Sequence, residues 1–89
     1  MLVKEFAKSL GHHNIRVNAM IPGAVAAGGF KADPALAKHI PMGRIGLADD
    51  LAPMALAVLS NKMAGYVTGT SLVVDGGLSL CNWFEPPEL

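Results

Sequence analysis

The stretch IRVNAMIPG, residues 15–23, sets the fold class of this 89-residue chain. Its apolar residues do not alternate cleanly with polar ones, a pattern that is typical of a strand covered on both faces in a parallel sheet. Pro22 and Gly23 then close the strand, because both residue types favour turns. We therefore predict a buried strand over residues 15–21.

A second apolar run, Leu72-Val73-Val74, predicts a partner strand. It ends in Asp75-Gly76-Gly77, a sequence that favours a turn, so a turn role for Asp75 is preferred over a ligand role. Helical patterns lie between the two strands along the chain. Two parallel strands joined through helices form a right-handed crossover unit, and the sequence therefore predicts an α/β fold.

The chain begins with an amphipathic helix pattern in which Leu2, Phe6 and Leu10 share one face. Gly11 follows this pattern and predicts a left-handed C-terminal cap. The apolar period is already present at Met1 without a preceding N-cap residue. We therefore expect this helix to be the end of a longer one.

Two more helices are predicted between the strands. Asp33 and Pro34 are typical of a helix start, and Pro41 ends this short helix. Asp49 and Asp50 suit the positive end of the next helix dipole, which favours a helix start over a pair of catalytic carboxylates. The predicted buried stripe of that helix consists of Leu51, Met54, Ala55, Val58 and Leu59. The predicted loops cover residues 24–31, 42–48 and 60–65.

The composition excludes several classes of protein. Seven basic and seven acidic side chains cancel, which argues against a nucleic-acid or anionic-membrane surface. The longest apolar run, Leu51 to Leu59, has nine residues, whereas a membrane-spanning helix needs about twenty. The single cysteine, Cys81, offers no disulfide framework, so we expect a reducing, cytoplasmic environment.

The chain is also unusually apolar for its length. Hydrophobic residues make up 52% of it and charged residues only 16%, against a usual charged share of about 25%. This excess predicts surfaces that contact neighbours, either further sequence or other subunits. Trp83 and Phe84 near the carboxy terminus favour such a contact over a substrate contact.

Three motifs in this order and spacing resemble one family. They are IRVNAMIPG at residues 15–23, PMGRIG at 41–46 and YVTGTSLVVDGG at 66–77. Over residues 1 to about 80 the chain resembles the carboxy-terminal third of a short-chain dehydrogenase/reductase. The resemblance implies the C-terminal part of a Rossmann-like, doubly wound parallel sheet. Residues 1–89 would then be one partial NAD(P)-binding domain, with residues 78–89 as its tail.

The resemblance also implies part of a cofactor site and a substrate loop. The segment after Pro22-Gly23 would line the nicotinamide end of NAD or NADP, and Val25 would offer its backbone N–H and C=O to the carboxamide. Ala27 stands where the family commonly has a threonine that contacts the cofactor. The implied cofactor-binding residues are Pro22, Gly23, Ala24, Val25 and Ala27. Phe30 and Met42 would lie in the substrate loop, with a packing role as the alternative for both.

The residues that carry the family's chemistry are not found in this sequence. It contains no Gly-x-x-x-Gly-x-Gly phosphate loop, no Asn-Asn-Ala-Gly element and no Tyr-x-x-x-Lys. Tyr66 is the only tyrosine, and Thr70 stands where the lysine would be needed. Because hydride transfer to a carbonyl needs a group that exchanges a proton, we predict no catalytic residue among these residues and no turnover by them alone.

No metal site is predicted from the three histidines. His12 and His13 are adjacent, so their side chains point apart, and no cysteine or close carboxylate completes a ligand set with His39. We interpret Arg44 as a solvent-facing or loop-bracing cation, with contact to a phosphate as the alternative.

Two functional hypotheses follow. The first is the C-terminal segment of an NAD(P)-dependent short-chain oxidoreductase that acts on a secondary alcohol or ketone, supplying a substrate loop, part of the nicotinamide site and oligomer contacts. The second is a non-catalytic short protein that acts by association with a full-length relative. A homo-oligomer is expected under the first hypothesis. Discrimination between NAD and NADP and the identity of the substrate both stay open.

Overall fold

A computed structural model of the chain describes residues 2–26, 31 and 33–81. The parallel strands and intervening helices confirm the predicted α/β class. The helices are α1 (Leu2–Leu10), α2 (Ala48–Leu59) and α3 (Asn61–Ala64). The strands are β1 (Ala19–Pro22), β2 (Val25–Ala26), β3 (Gly46–Leu47) and β4 (Ser71–Val74). Short 3-10 helices cover Gly11–His13, Pro34–His39 and Leu78–Leu80.

The described strands form two small parallel sheets. In the first, β1 pairs with β4 in a register that runs from Ala19 opposite Ser71 to Pro22 opposite Val74. In the second, β2 pairs with β3, with Val25 opposite Gly46. Because paired parallel strands end at the same edge, the segments that follow β1 and β4 are brought side by side.

The strand predicted over residues 15–21 is wrong at its start, since β1 begins only at Ala19. Residues just before it are bonded to a loop rather than to a strand. The Val17 N–H donates to Thr68 Oγ1 at 3.1 Å, and the Gly69 N–H donates to the Val17 carbonyl at 2.8 Å. These bonds satisfy the backbone of Val17 without a regular ladder.

Asn18 completes this join between the two motifs. Its side-chain amide donates to the Val67 carbonyl at 3.0 Å, and its Oδ1 accepts from the Thr70 N–H at 3.1 Å. One amide side chain therefore holds both ends of the segment that leads into β4. The hydrogen bonds of Asn18 therefore connect the residue just before β1 with residues 67–70, which lead into β4.

Arg16 ties the same region to the end of α2. Its Nη1 donates to the carbonyls of Val58 at 2.8 Å and Val67 at 3.1 Å, and its Nη2 donates to that of Leu59 at 3.2 Å. Asn61 Oδ1 accepts from Nε and Nη2. The last carbonyls of a helix lack partners within the helix, and a cation favours the negative end of the dipole. Arg16 therefore caps α2 from a distant part of the chain.

The predicted left-handed cap at Gly11 is wrong. The chain continues past α1 for one 3-10 turn, and the left-handed residue is Asn14, with φ of 60°. Its N–H donates to the Gly11 carbonyl at 3.0 Å. Asparagine is the non-glycine residue type that adopts this conformation most readily, so the turn could be delayed to residue 14.

The helices between the strands begin where predicted. The Asp33 carboxylate accepts from the Ala35 N–H at 2.9 Å and caps the 3-10 helix that starts at Pro34. Asp49 and Asp50 lie in the first turn of α2. The predicted loops are partly wrong, because residues 24–31, 42–48 and 60–65 contain β2, β3 and α3 respectively. Two-residue strands and a four-residue helix carry too little periodicity to be recognised in a sequence.

Few side chains are fully covered. Among the described residues only Ala7, Ile40 and Ala64 are buried. The stripe predicted as buried on α2 is wrong at Met54 and Leu59, which are 39% and 74% exposed. The helical period is present, but within the described part of the chain nothing packs over that part of the face. None of the described helices is long and apolar enough to cross a bilayer.

We expect replacement of Arg16 by alanine to lower the free energy of unfolding by roughly 1–3 kcal/mol, the range for hydrogen bonds to a charged group. Arg16→Lys is the matched control. It retains the charge but not the planar fork, so it should recover only part of the loss. Urea unfolding followed by circular dichroism measures both variants. An Arg16→Ala variant as stable as the wild type would contradict the capping role.

Candidate functional site

The candidate site lies where β1 and β4 end side by side. The Gly23 N–H donates to the Val74 carbonyl at 3.2 Å and extends the pairing by one residue beyond β1. A Cβ atom on Gly23 would stand 2.6 Å from the Cβ of Asp75, closer than real side chains approach. Only glycine therefore lets the two chain segments approach this closely.

Asp75 builds the turn after β4. Its Oδ2 accepts from the Ser79 N–H at 2.8 Å, and its Oδ1 accepts from the Gly77 N–H at 2.9 Å. Hydrogen bonds from Ser79, and then from Gly77, hold the pKa of the Asp75 carboxyl below its ordinary value. Gly76 and Gly77 have φ of 65° and 95°, which other residues adopt at a cost. These contacts give Asp75 the predicted turn role.

The segment 40–42 packs onto this turn. Ile40 is 2% exposed, and a Cβ on Gly76 would lie 2.8 Å from its Cγ2. Pro41 contacts Gly77 in the same way, and the Met42 N–H donates to the Gly76 carbonyl at 3.1 Å. Gly76 and Gly77 thus allow residues 40–42, which follow the 3-10 helix Pro34–His39, to lie directly against the end of β4.

A cavity of about 150 Å³ lies between these segments and the start of α2. Of the residues predicted for the cofactor and substrate sites, it brings together Ala24, Val25 and Met42. Pro22 and Gly23 stand at the adjoining strand end and do not line it. Ala27 and Phe30 lie outside the described residues. The rest of the lining consists of Arg44, Gly46, Asp50, Leu51, Val74, Asp75 and Gly76.

An ion pair closes one side of the cavity. Arg44 Nη1 and Nη2 donate to Asp50 Oδ2 and Oδ1 at 2.7 and 2.8 Å, and Asp50 Oδ2 also accepts from the Leu47 N–H at 2.7 Å. The Arg44 guanidinium, followed by the Leu47 N–H, holds the pKa of the Asp50 carboxyl far below its ordinary value. Two of the five guanidinium donors are therefore engaged by Asp50, as expected for a loop-bracing cation.

The sequence predicted a solvent-facing or loop-bracing role for Arg44, of which the structure shows the second, but did not identify Asp50 as its partner. A signal was present, because an acidic residue six positions after the arginine stands near the start of a predicted helix. The helix-start interpretation of Asp50 explained that residue without a partner. The same carboxylate performs both roles, since it reaches back to the Leu47 N–H that precedes the helix.

Other residues considered from the sequence lie away from this cavity. The prediction that the His12 and His13 side chains point apart is wrong, since their exposed rings lie with centroids 4.0 Å apart. Among residues 2–26, 31 and 33–81, no three histidine, cysteine, aspartate or glutamate side chains are grouped for metal binding. Tyr66 is fully exposed at the opposite end of β4. Trp83 and Phe84 lie outside the described residues.

A family model described as "Enoyl-(Acyl carrier protein) reductase" matches residues 1–79. This chain belongs to the short-chain dehydrogenase/reductase family. The resemblance predicted from the three motifs is thereby confirmed, and so is the Rossmann-like character of the partial sheet.

Individual relatives agree with this membership. The chain is 42% identical over 84 residues to an L-rhamnose 1-dehydrogenase (NAD(P)(+)) of Azotobacter vinelandii, covering 86% of this chain and 32% of the relative. It is 44% identical over 93 residues to 3beta-hydroxysteroid dehydrogenase 1 of Eggerthella lenta, covering 96% and 35%. The crystal structure of acetoin dehydrogenase from Salmonella typhimurium matches with a TM-score of 0.80 at 36% identity, covering 97% and 36%. The chain spans about one third of the length of these relatives.

Replacing Gly23 by alanine should distort the end of the β1–β4 pair, because its methyl group would overlap Asp75. The expected loss of stability is roughly 1–3 kcal/mol, as for other overpacked positions. Gly11→Ala is the matched control, since a Cβ there meets nothing within 4 Å and the position has no positive φ. Thermal and urea unfolding of both variants measure the difference. Equal stability of the two variants would contradict the close approach.

The lowered pKa of Asp75 predicts an acid sensitivity of the fold. Carboxyls with depressed folded-state pKa values stabilise the fold above their unfolded pKa of about 3.9, and this contribution is lost as the pH falls through the folded values. We expect the urea midpoint to drop below about pH 4, and to drop less in Asp75→Asn. Asp49→Asn, which removes a carboxylate that is not paired with Arg44, should retain the wild-type profile. Identical pH profiles for Asp75→Asn and the wild type would be the contrary result.

Proposed function

We propose that residues 1–89 form the carboxy-terminal segment of an NAD(P)-dependent oxidoreductase domain, with residues 78–89 as its tail. The reaction would move hydride between a nicotinamide and a secondary alcohol or ketone. One observation carries the proposal: a cavity at the carboxyl ends of two paired parallel strands, lined by Ala24, Val25 and Met42. In open α/β sheets, ligands bind outside this end of the strands.

The lining has the chemistry that a nicotinamide ring requires. The lining includes apolar side chains that can contact a flat ring, those of Val25, Met42 and Val74. When bound, the cofactor supplies the hydride donor or acceptor. In the proposed arrangement, Pro22 and Gly23 shape the turn, Ala24 lines the cofactor site, and the backbone N–H and C=O of Val25 orient the carboxamide.

Two residues outside the described segments and one inside complete the proposed site. Ala27 flanks the cofactor without the hydroxyl contact that a threonine would make, and Phe30 and Met42 line the substrate side. Met42 is 66% exposed, so its side chain is accessible to a ligand. The names of the relatives, which include dehydrogenases of L-rhamnose, a 3beta-hydroxysteroid and acetoin, support an alcohol or ketone substrate.

We infer that these residues do not complete the reaction by themselves. Reduction of a carbonyl needs a proton donor within reach of the reacting oxygen. Tyr66 is the only tyrosine of the sequence, and Thr70 rather than a lysine stands four residues after it. Tyr66 also lies at the end of β4 remote from the cavity. The proposed contribution of this chain is therefore binding and positioning.

Exposed apolar side chains favour association as part of this function. Leu2 and Phe6 on α1 are 73% and 52% exposed, and Leu56 and Leu59 on α2 are 69% and 74% exposed. We propose that these faces contact further protein, in a homo-oligomer or against a full-length relative, in the cytoplasm. Association with such a relative without any catalytic role is the second candidate function, and the same faces support it.

Nuclear magnetic resonance on the purified 89-residue chain tests the proposed site. We expect NADH or NADPH to shift the amide resonances of Ala24 and Val25. No oxidation of either cofactor should be detected when acetoin is added. Shifts confined to other residues would contradict the assigned site, and measurable turnover would contradict the inferred lack of catalysis.

A chimera separates the two candidate functions. Residues 2–81 would replace the aligned third of the Azotobacter vinelandii L-rhamnose 1-dehydrogenase. Nicotinamide-dependent activity in this chimera, abolished by Gly23→Ala, would support the oxidoreductase segment. Two results together would favour association instead. The chimera would fold but be inactive, and the intact dehydrogenase would change in size when the separate chain is added.

A further inference from the structure

We propose that Arg44 and Asp50 are positioning residues that hold the β2–β3 pair against the start of α2 and so keep the backbone of Val25 at the cavity. The identity of the ligand that Val25 meets, a nicotinamide, rests on the proposed function. The role of Arg44 and Asp50 in holding the strands does not rest on that function. We call Arg44, Asp50 and the Leu47 N–H between them the clamp.

The geometry of the clamp is specific. Arg44 Nη1 donates to Asp50 Oδ2 at 2.7 Å, and Arg44 Nη2 donates to Asp50 Oδ1 at 2.8 Å. A bidentate pair of this kind fixes the orientation of the carboxylate as well as its distance, because the guanidinium is planar. Asp50 can therefore present one oxygen in a constant direction to its third partner.

That third partner is the backbone of β3. Asp50 Oδ2 accepts from the Leu47 N–H at 2.7 Å, which joins the first turn of α2 to the strand immediately before it. Leu47 has no side-chain acceptor of its own to cap the helix, so this reverse contact is the one that sets the angle between β3 and α2. The direction of β3 therefore depends on the clamp.

The direction of β3 in turn sets the position of β2. The Gly46 N–H donates to the Ala24 carbonyl at 2.9 Å, and Val25 lies opposite Gly46. A Cβ on Gly46 would lie 3.1 Å from Val25 Cγ2, 3.4 Å from the Ala24 oxygen and 3.9 Å from Asp50 Oδ2. Glycine at position 46 thus leaves room for Val25 and the Ala24 carbonyl to lie close to β3.

Within residues 2–26, 31 and 33–81, β2 and β3 contribute two residues each to their pairing. So short a pair needs support from neighbouring elements. The side chains of Arg44 and Asp50 are 52% and 32% exposed, so the ion pair should contribute little to the stability of the whole fold. A positioning role predicts that loss of the ion pair displaces Val25 while the free energy of unfolding of the whole fold changes little. General stabilisation would instead lower that free energy.

The test uses the 89-residue chain with Arg44→Gln and Asp50→Asn, and with Asp49→Asn as the matched control. Asp49 carries the same charge in the same helical turn but is not the partner of Arg44. We expect amide exchange at Gly46 to rise by about tenfold in the two clamp variants, while the urea midpoint changes little. The dissociation constant for NADH or NADPH, read from the Val25 resonance, should rise severalfold. Asp49→Asn should match the wild type in all three measurements.

Unchanged Gly46 exchange in both clamp variants would overturn the proposal. So would a fall in the urea midpoint that accounts for the faster exchange, because the role would then be general stabilisation. If Asp50→Asn fails to fold, Arg44→Lys decides: it retains the charge but not the fork, so Gly46 exchange must still rise. If the wild type shows no shift of Val25 with either cofactor, the proposed nicotinamide site is wrong, and the Gly46 exchange still decides the clamp.

Discussion

The parallel pairing of β1 with β4 is the interaction on which the rest of this structure depends. The two strands are about fifty residues apart in the chain, and their register is set by four hydrogen bonds between residues 17–18 and 67–70. Arg16 adds the end of α2 to the same join. Because the strands are parallel, this fixed register also determines which residues meet at their carboxyl ends.

The candidate site is built on backbone approach more than on side-chain chemistry. Gly23 lies against Asp75, and Gly76 lies against Ile40, at distances that a side chain would occupy. The polar side chains nearby, Asp75, Asp50 and Arg44, bond chiefly to backbone or to one another. Under the proposed function, such a site would shape and orient a ligand, and the proton transfer that hydride chemistry requires would come from a different group.

Much of the fold and part of the site could be predicted. Periodicity and motifs predicted the family, the fold class, the helices α1 and α2, and the strand β4. The start of the 3-10 helix after Asp33 followed from capping, and the start of α2 near Asp49 followed from the preference of acidic side chains for the first helical turn. Both effects are local. The errors at the start of β1 and along α2 share a cause, because the partner, or its absence among the described residues, is remote in the chain. The error at Gly11 is local, since Asn14 takes the left-handed conformation three residues later. The cavity residues Ala24, Val25 and Met42 were predicted, whereas the Asp50 partner of Arg44 was not.

The sequence by itself determined the residue types at strand ends and helix starts, because glycine, proline and aspartate act through short-range geometry and hydrogen bonding. It also determined the family, through motifs with constant spacing. The tertiary structure alone showed that Arg16 caps a helix more than forty residues away, and that Asp50 links Arg44 to the backbone of β3. These contacts join residues that neither hydrophobic periodicity nor a sequence motif connects. The residues become neighbours only when the strands have paired.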